Sequence, residues 1–206
     1  RAPAPWANWL ATVYNGIPDD LFTFHDKPGD YLAFLGRISP EKRVDRAISI
    51  AKRTGMKIKI AAKVDKVDQG YFDTKIKPGL KDPHVEYIGE ISDEQKNDFL
   101  GNAYALMFPI DWPEPFGLVI IEAMANKVPV IASDLGAPKE IITDGENGYI
   151  VNPHAPEKIA DAAIKLLEKD EKREHMGLNA QQHVQQHYNE KDYARAVEKV
   201  YDEVSG

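Results

Sequence analysis

Residues 36–42 combine a glycine with two cationic side chains, and they form the first stretch of this sequence that could bind an anion. Gly36 lets a ligand approach the backbone closely, and Arg37 and Lys42 place positive charge beside the predicted start of a helix. A helix N-terminus flanked by cations suits a phosphate or diphosphate group. The alternative is that Arg37 caps a neighbouring carbonyl and Lys42 is a solvated residue of the first turn. Because a cation at this end opposes the helix dipole, the pattern slightly favours an anionic ligand.

A second stretch, residues 109–122, carries two carboxylates around the start of a predicted helix. Glu114 precedes this helix and Glu122 lies in its early turns, while Gly117 and Leu118 offer free backbone N–H groups. Carboxylates accept hydrogen bonds from hydroxyl groups and N–H groups bind phosphate oxygens, so the stretch could hold a sugar–diphosphate–nucleoside. The alternative is a glutamate that complements the helix dipole and another that pairs with a lysine. Because Glu122 lies among apolar residues, we expect it to be partly buried and to need a partner.

Both stretches follow apolar strands in a chain that alternates strands with helices. The predicted strands are residues 31–35, 57–62, 84–88, 104–108, 128–132 and 149–151. The predicted helices are residues 41–53, 71–76, 92–102, 118–126, 138–142, 157–169, 171–187 and 191–204, with Ser39 as the N-cap of the first and a capping box at Ser92 and Gln95. This alternation predicts an α/β fold, a Rossmann-like doubly wound parallel sheet of about six strands. Ligands of such sheets bind at the carboxyl ends of the strands, where both stretches lie.

Composition and charge narrow the function classes. The 206 residues are 43% hydrophobic, which suits one globular domain, and the formal charge of −7 disfavours a nucleic-acid partner. With no cysteine, disulfides, thiolate metal sites and cysteine nucleophiles are excluded. No membrane-length apolar run and no signal peptide are found, so we expect a cytoplasmic protein, peripheral to the membrane at most through a further domain. His183 and His187 stand one helical turn apart without a third ligand, and we expect no metal site.

The ordered set of motifs resembles the C-terminal half of a retaining glycosyltransferase of family 4, which has the two-domain GT-B fold. The resemblance covers nearly the whole chain, and its most specific part is Glu114-Pro115-Phe116-Gly117-Leu118 with Glu122 eight positions after Glu114. The other matching residues are Tyr14-Asn15-Gly16-Ile17, Gly36-Arg37-Ile38-Ser39-Pro40-Glu41-Lys42, Tyr87-Ile88-Gly89, residues 129–133, Gly136, Glu140, Asp144-Gly145 and Asn147-Gly148.

The resemblance implies roles for individual residues. The residues implied as catalytic are Arg37, Lys42 and Glu114. The residues implied as donor-binding are Gly36, Ile88, Phe116, Gly117, Leu118, Val119 and Glu122. Arg37 and Lys42 would bind the donor diphosphate, Glu114 would face the donor sugar, and Glu122 would hold the ribose hydroxyls. Backbone groups of residues 117–119 would contact phosphate or sugar, and those near Ile88 the base.

The resemblance also implies the substrate and the reaction. The donor would be a nucleotide sugar such as a UDP-, GDP- or ADP-hexose, and a hexosyl group would pass to an acceptor with retention. No cofactor and no metal would be needed, because cationic side chains and N–H groups stabilise the leaving diphosphate. The base, the sugar and the acceptor are not identified by the sequence.

The chain is too short for both GT-B domains, so its organisation is predicted from the half that is present. Residues 1–24 would supply the last strand (residues 11–14) and the linker of a missing N-terminal acceptor domain. Residues 25–190 would form the donor domain, and residues 191–206 a helix that crosses to the missing domain. We therefore expect exposed apolar side chains around Trp6, Trp9 and the last helix, self-association of the isolated half, and no sugar transfer by it alone.

Two other functions remain open at this point. The chain could be a stand-alone nucleotide-sugar binding module that pairs with a separate acceptor subunit. It could also be a GT-B relative with other chemistry, such as a sugar-nucleotide epimerase or a phosphorylase. The spacing of the two glutamates in their Pro-Phe-Gly context favours a transferase over these relatives.

Overall fold

A parallel sheet forms the centre of the computed structural model, which describes residue 4, residues 6–18 and residues 29–205. Within these residues one sheet of six strands has the order β3-β2-β1-β4-β5-β6. The strands are β1 (Tyr31–Ile38), β2 (Lys57–Val64), β3 (Val85–Gly89), β4 (Ala103–Phe108), β5 (Val130–Ser133) and β6 (Gly148–Val151). Every neighbouring pair is parallel. The predicted doubly wound α/β sheet is confirmed.

Helices cover both faces of this sheet. They are α1 (Val44–Thr54), α2 (Gln69–Tyr71), α3 (Asp93–Gly101), α4 (Leu118–Ala125), α5 (Pro138–Ile141), α6 (Pro156–Leu167), α7 (Asp170–His187) and α8 (Glu190–Ser205). Alternate residues of β4 face opposite layers: Leu106 packs in the cluster that holds α3 and α4, and Met107 in the cluster that holds α1 and α6. Because both faces are covered, the strand is apolar at every position, as its sequence predicts.

The start of the first helix differs from the prediction. A turn occupies residues 40–43, α1 begins at Val44, and the N-cap is Arg43 in the left-handed region with φ 54°. Ser39 is therefore not the N-cap; its carbonyl accepts a 3.2 Å bond from the N–H of Lys42, which closes the turn ahead of the helix. The capping box of α3 is confirmed, with reciprocal bonds between Ser92 and Gln95. The predicted helix at 71–76 corresponds to short helical turns that run from residue 66 to residue 81.

The segment before the sheet lies along the junction of α7 and α8. The N–H of Ile17 donates to the carbonyl of Tyr188 at 2.9 Å, and the N–H of Glu190 donates to the carbonyl of Ile17 at 3.2 Å. Residues 11–14 form no strand within the part of the chain described. That they supply the last strand of a missing N-terminal domain stays a prediction, because a strand requires a hydrogen-bonded neighbour and the predicted neighbour is that domain. The predicted domain boundary at residues 24–25 lies outside the described residues.

Apolar side chains of the N-terminal segment and of α8 are exposed, as predicted. The exposed fractions are 87% for Trp6 and 60% for Trp9, and α8 contains no buried residue although its apolar side chains share one face. Tyr193, Tyr201 and Val204 of α8 are exposed. Among the residues that the structure describes, no helix is both long and apolar enough to cross a membrane.

Candidate functional site

A cleft opens at the carboxyl ends of β1 and β4, where the order of the strands in the sheet reverses. β1 stays in register with β2 as far as the pair Ile38 and Val64, but its pairing with β4 ends at Ala33 and Leu106. The last residues of β1 and the loop after β4 therefore separate and leave a cavity of about 340 Å³. A crevice at such a reversal point is the general ligand-binding position of open parallel sheets.

Most of the residues predicted from sequence line this cavity. Those in the lining are Gly36, Lys42, Glu114, Gly117, Leu118, Val119 and Glu122. Apolar walls are supplied by Phe34, Leu35, Phe108 and Ile110. The two stretches singled out above, 78 positions apart when measured from Gly36 to Glu114, thus meet in one site.

Lys42 and Glu114 form an ion pair inside the cavity. The Lys42 Nζ donates to Glu114 Oε2, and the indole N–H of Trp112 donates to the same oxygen at 3.0 Å. The ammonium also lies 5.5 Å from the ring centre of Phe108 and 5.3 Å from that of Trp112, within cation–π range. The Glu114 side chain is only 10% exposed, so this pairing compensates the removal of its charge from water.

Glu122 has a lysine partner of its own. The Lys96 Nζ, from α3, donates to Glu122 Oε1 at 3.0 Å and lies 3.0 Å from Asp93 Oδ1. Although burial opposes it, the hydrogen bonds to Glu122 and Asp93 raise the pKa of Lys96 above its usual value. The expectation of a partly buried Glu122 that needs a partner is confirmed, since its side chain is 14% exposed.

The N-terminus of α4 faces the cavity between the two ion pairs. Gly117 is its N-cap, with φ 84°, and Leu118 and Val119 form its first turn along the cavity wall. The first turn of a helix leaves backbone N–H groups without partners inside the helix, and these groups bind anions. Two lysines, two carboxylates and a helix N-terminus therefore surround one space. Such an arrangement can hold an anion and several hydroxyl groups at once.

The backbone of Glu114 is held by the loop that follows β5. The N–H of Glu114 donates to the carbonyl of Leu135 at 3.3 Å, and its own carbonyl accepts from the N–H of Ala137 at 2.9 Å. Gly136 lies between them with φ 79°, and a Cβ there would lie 2.6 Å from the Glu114 nitrogen. Only a glycine fits this approach without displacing the Glu114 backbone.

The structure places the remaining predicted site residues outside the cavity lining. Arg37 is 50% exposed, with a 2.8 Å ion pair to Glu41 that raises its pKa and a 3.7 Å one to Asp65. Ile88 lies on β3, two strands from β1. The ring of Phe116 is buried between Tyr14 and Tyr188, with ring centres 6.2 and 5.7 Å away. Their assigned roles stay predictions.

Lys96 and Trp112 belong to the site but were not among the predicted residues. Trp112 lies inside the proline-rich stretch already singled out, so proximity in sequence could have indicated it. Lys96 lies 26 positions before Glu122, and nothing in the sequence pairs the two. The signal that existed was the need of a buried carboxylate for a cation, which does not say which cation.

The two histidines considered as metal ligands lie far along the chain from this cavity, on α7. The ring centres of His183 and His187 are 4.8 Å apart, and burial, with a smaller contribution from His187, lowers the pKa of His183. In the described ranges no group of three acidic, histidine or cysteine side chains is arranged to hold a metal ion.

Comparison with known proteins gives this fold and site a context. The family of glycosyl transferases group 1 matches residues 22–183. An N-acetyl-alpha-D-glucosaminyl L-malate synthase from Bacillus anthracis is 34% identical over 95% of this chain and 54% of its own length. A phosphatidyl-myo-inositol mannosyltransferase from Mycobacterium tuberculosis is 27% identical over 94% of this chain and 54% of its own. This chain thus spans about half the length of the curated relatives it matches.

The solved structures confirm the fold. The Anabaena protein HepE, solved in complex with UDP and glucose, superposes with a TM-score of 0.84 at 20% identity, over 92% of this chain and 56% of HepE. The six-stranded sheet is accordingly the Rossmann-like half of a GT-B fold. Since the family match spans most of the sequence, the chain belongs to the glycosyl transferases group 1.

Proposed function

We propose that this chain is the donor-binding half of a retaining, family 4 hexosyltransferase and that it holds a nucleoside-diphosphate hexose in the cavity described above. The observation that carries the proposal is the convergence of Lys42, Glu114, Glu122 and the N-terminus of α4 on one space at the strand-order reversal. A nucleotide sugar needs all of these partners: a cation and N–H groups for the diphosphate, and carboxylates for two sets of hydroxyls. That HepE was solved with UDP and glucose supports the choice of ligand.

The existing ion pairs indicate how the donor is bound. Lys42 and Glu114 neutralise each other in the cavity, as do Lys96 and Glu122. A diphosphate carries more negative charge than one carboxylate, so it competes for the Lys42 ammonium. Glu114 is then free to accept hydrogen bonds from the sugar hydroxyls. Glu122 keeps one oxygen on Lys96 and uses its remaining lone pairs for the ribose.

The proposed chemistry breaks the bond between the anomeric carbon and the diphosphate oxygen and forms one to the acceptor oxygen on the same face of the sugar. The electron pair of the broken bond leaves with the nucleoside diphosphate, and the phosphate oxygen that is freed takes the proton that the acceptor hydroxyl loses. Lys42, Arg37 and the N–H groups of α4 stabilise that negative charge, and in this proposal no metal takes part. Arg37 reaches the leaving group by exchanging Glu41, which costs little because the pair is half exposed.

The acceptor is bound by a second domain in this proposal. The segment around Ile17 and the start of α8 at Glu190 meet, so the chain enters and leaves the domain at one place. The curated relatives have room for a second domain, since this chain covers about half of them. Transfer needs an oriented acceptor and a closed site, so the 206-residue chain alone should bind donor without transferring it.

Calorimetric titration of the chain with UDP, GDP, ADP and their hexose derivatives tests the donor site. We expect weak binding of one nucleotide and of its sugar. The substitution Glu122→Ala should lower the affinity for the nucleotide by about tenfold or more. Each hydrogen bond to a charged group contributes roughly 1.5–3 kcal/mol, and ~1.4 kcal/mol corresponds to a tenfold change in affinity. The variant should still fold, since Lys96 keeps Asp93 as a partner.

The matched control is Glu171→Ala, which removes an exposed glutamate from the first turn of α7. It should bind like the wild type. Absence of binding to every nucleotide at millimolar concentration would refute the donor site. Equal affinity of the Glu122→Ala and Glu171→Ala proteins would refute the ribose contact.

A further inference from the structure

The turn between β1 and α1 ends on a residue in a strained backbone conformation. Arg43 has φ 54° and ψ 50°, in the left-handed region that side-chain-bearing residues seldom adopt. Arg43 directly follows Lys42, so the backbone that carries the cavity cation passes through this conformation. A glycine would relieve the strain. The contacts of the arginine side chain must therefore offset the cost of this backbone conformation.

The Arg43 guanidinium joins two carboxylates that come from different elements. Its Nε and one Nη donate to both oxygens of Asp45, at 3.0 and 2.8 Å. Its other Nη donates to Asp111 at 2.8 Å. Asp45 also accepts a 2.8 Å bond from the hydroxyl of Tyr71. Although burial opposes it, the bonds from Arg43 and Tyr71 hold the pKa of Asp45 below its usual value, so this anchor stays ionised.

Asp111 belongs to the loop that carries Trp112 and Glu114. It accepts a second bond from Arg46 at 3.1 Å, and its N–H donates to the carbonyl of Glu41 at 2.8 Å. These bonds cross the gap between the ends of β1 and β4, where the strand pairing has already stopped. Hydrogen bonds of these residues therefore connect the turn after β1 with the loop after β4, where no β-ladder connects them.

We propose that Arg43 is a positioning residue of the donor site: through Asp45 and Asp111 it fixes the Lys42 turn against the Glu114 loop, and so sets the spacing between the diphosphate-binding and sugar-binding groups. The proposal rests on the donor-binding function proposed above. Arg43 is not among the residues that line the cavity, so its effect must pass through Lys42 and Glu114. A ligand that spans both groups, the full nucleotide sugar, depends on this spacing more than the nucleoside diphosphate does.

Three substitutions separate positioning from simple stability. Arg43→Gly removes the guanidinium and relieves the left-handed backbone. Arg43→Lys keeps the charge but cannot hold two oxygens of Asp45 and one of Asp111 together. Lys127→Gly is the matched control, because Lys127 is also left-handed, with φ 58°, and lies beyond the opposite end of α4 from Gly117.

The first readout is calorimetry with the nucleotide that the wild type binds and with the corresponding nucleotide hexose. For Arg43→Gly we expect about a tenfold loss of affinity for the nucleotide hexose and a smaller loss for the nucleotide, without a fall in unfolding temperature. Arg43→Lys should be intermediate. Lys127→Gly should match the wild type for both ligands.

The second readout needs no ligand. The indole N–H of Trp112 donates to Glu114, so its ¹⁵N-indole NMR signal reports the geometry of the loop. The chain has three tryptophans, and Trp6→Phe and Trp9→Phe identify the other two signals. Arg43→Gly should shift the Trp112 signal and Lys127→Gly should not. Should Arg43→Gly fail to fold, Asp111→Asn, which weakens the same joint, takes its place.

Unchanged affinities together with an unchanged Trp112 signal would overturn the proposal. So would an equal loss for both ligands that tracks a fall in unfolding temperature, because that is the result of a merely structural role. If the wild type binds none of the nucleotides, the proposed function fails and the Trp112 signal alone decides: a shift specific to the Arg43 variants supports the positioning role, and no shift refutes it.

Discussion

Each carboxylate of the site is already neutralised by a lysine before any ligand is present. Glu114 pairs with Lys42 and Glu122 with Lys96, and all four side chains are at most about a quarter exposed. Leaving a buried charge without a partner is costly, so the pairs make the empty site tolerable. In the proposed function, donor binding would exchange the partners of these groups rather than satisfy groups that have none, so we expect weak binding by this chain alone.

The two glutamates should differ in which ligand they recognise. Glu114→Ala should leave the affinity for a free nucleoside diphosphate little changed. This ligand has no hexose for Glu114 to contact, and Lys42, which binds the diphosphate, only becomes more available. The same substitution should lower the affinity for the nucleotide hexose by about tenfold, as expected for the loss of charged hydrogen bonds. Glu122→Ala should weaken both ligands alike. Calorimetry on the two variants with both ligands measures the difference.

Arg37→Ala tests whether Arg37, which lies outside the cavity lining, exchanges Glu41 for the diphosphate when the donor binds. The substitution should weaken the binding of both ligands, more so at low salt, where charge interactions are least screened.

Equal effects of Glu114→Ala and Glu122→Ala on the affinities for both ligands would contradict the division of roles between the two glutamates, even if nucleotide binding itself persisted.

At the scale of elements, three loops that follow β1, β4 and β5 build the site together. The loop after β4 carries Glu114, the turn after β1 holds it through Arg43, and the loop after β5 holds its backbone through Leu135 and Ala137. The sheet supplies only the common edge from which these loops start. Their mutual contacts decide where the functional side chains point.

Gly136→Ala should disturb Glu114 specifically. Two penalties apply: the left-handed φ of 79°, which costs a side-chain-bearing residue roughly 1–2 kcal/mol, and a clash of the new Cβ with the Glu114 backbone. We expect the free energy of unfolding to fall by more than the first penalty alone, and affinity for the nucleotide hexose to fall with it. Urea unfolding and calorimetry measure the two effects.

Gly145→Ala is the control for the backbone penalty. Gly145 has nearly the same φ, 80°, but a Cβ there meets nothing within 4 Å. It should lose roughly 1–2 kcal/mol of stability and keep the affinity of the wild type. Indistinguishable stability and binding of the two variants would show that the contact with Glu114 does not matter.

At the scale of the whole molecule, α8 exposes apolar side chains that a globular protein usually buries. Tyr193, Val197, Val200, Tyr201 and Val204 recur at helical spacing, and none of them is buried. Trp6 and Trp9, in the N-terminal segment, add further exposed aromatic area. Exposed apolar patches of this kind mark surfaces that are covered by a partner.

The isolated chain should therefore self-associate as its concentration rises. Replacing Tyr201→Ser and Val204→Ser together should shift the association to higher concentration by removing apolar area from the shared face. Glu198→Ser, an exposed change on the same helix, should leave it unchanged. Sedimentation velocity over a wide range of concentrations gives the measurement, and a strictly monomeric wild type at the highest concentration would contradict the prediction.

The sequence by itself determined the fold class and most of the cavity lining. Strand and helix patterns depend on local sterics and on the period of apolar residues, so the six strands could be predicted with small errors at their ends. That Lys42, Glu114 and Glu122 meet could also be predicted, because parallel strands bring their carboxyl ends to one edge. The need of Glu122 for a partner followed from its apolar neighbours.

Only the tertiary structure decided which groups hold these residues. Lys96 reaches Glu122 because α3 packs beside α4, and Arg43 reaches Asp111 because β1 and β4 are neighbours in the sheet. The left-handed Arg43 moved the start of α1 to Val44, against the local N-cap signal at Ser39. Such pairings depend on which distant elements are adjacent, and a local pattern carries no information about that until strand order and helix packing are fixed.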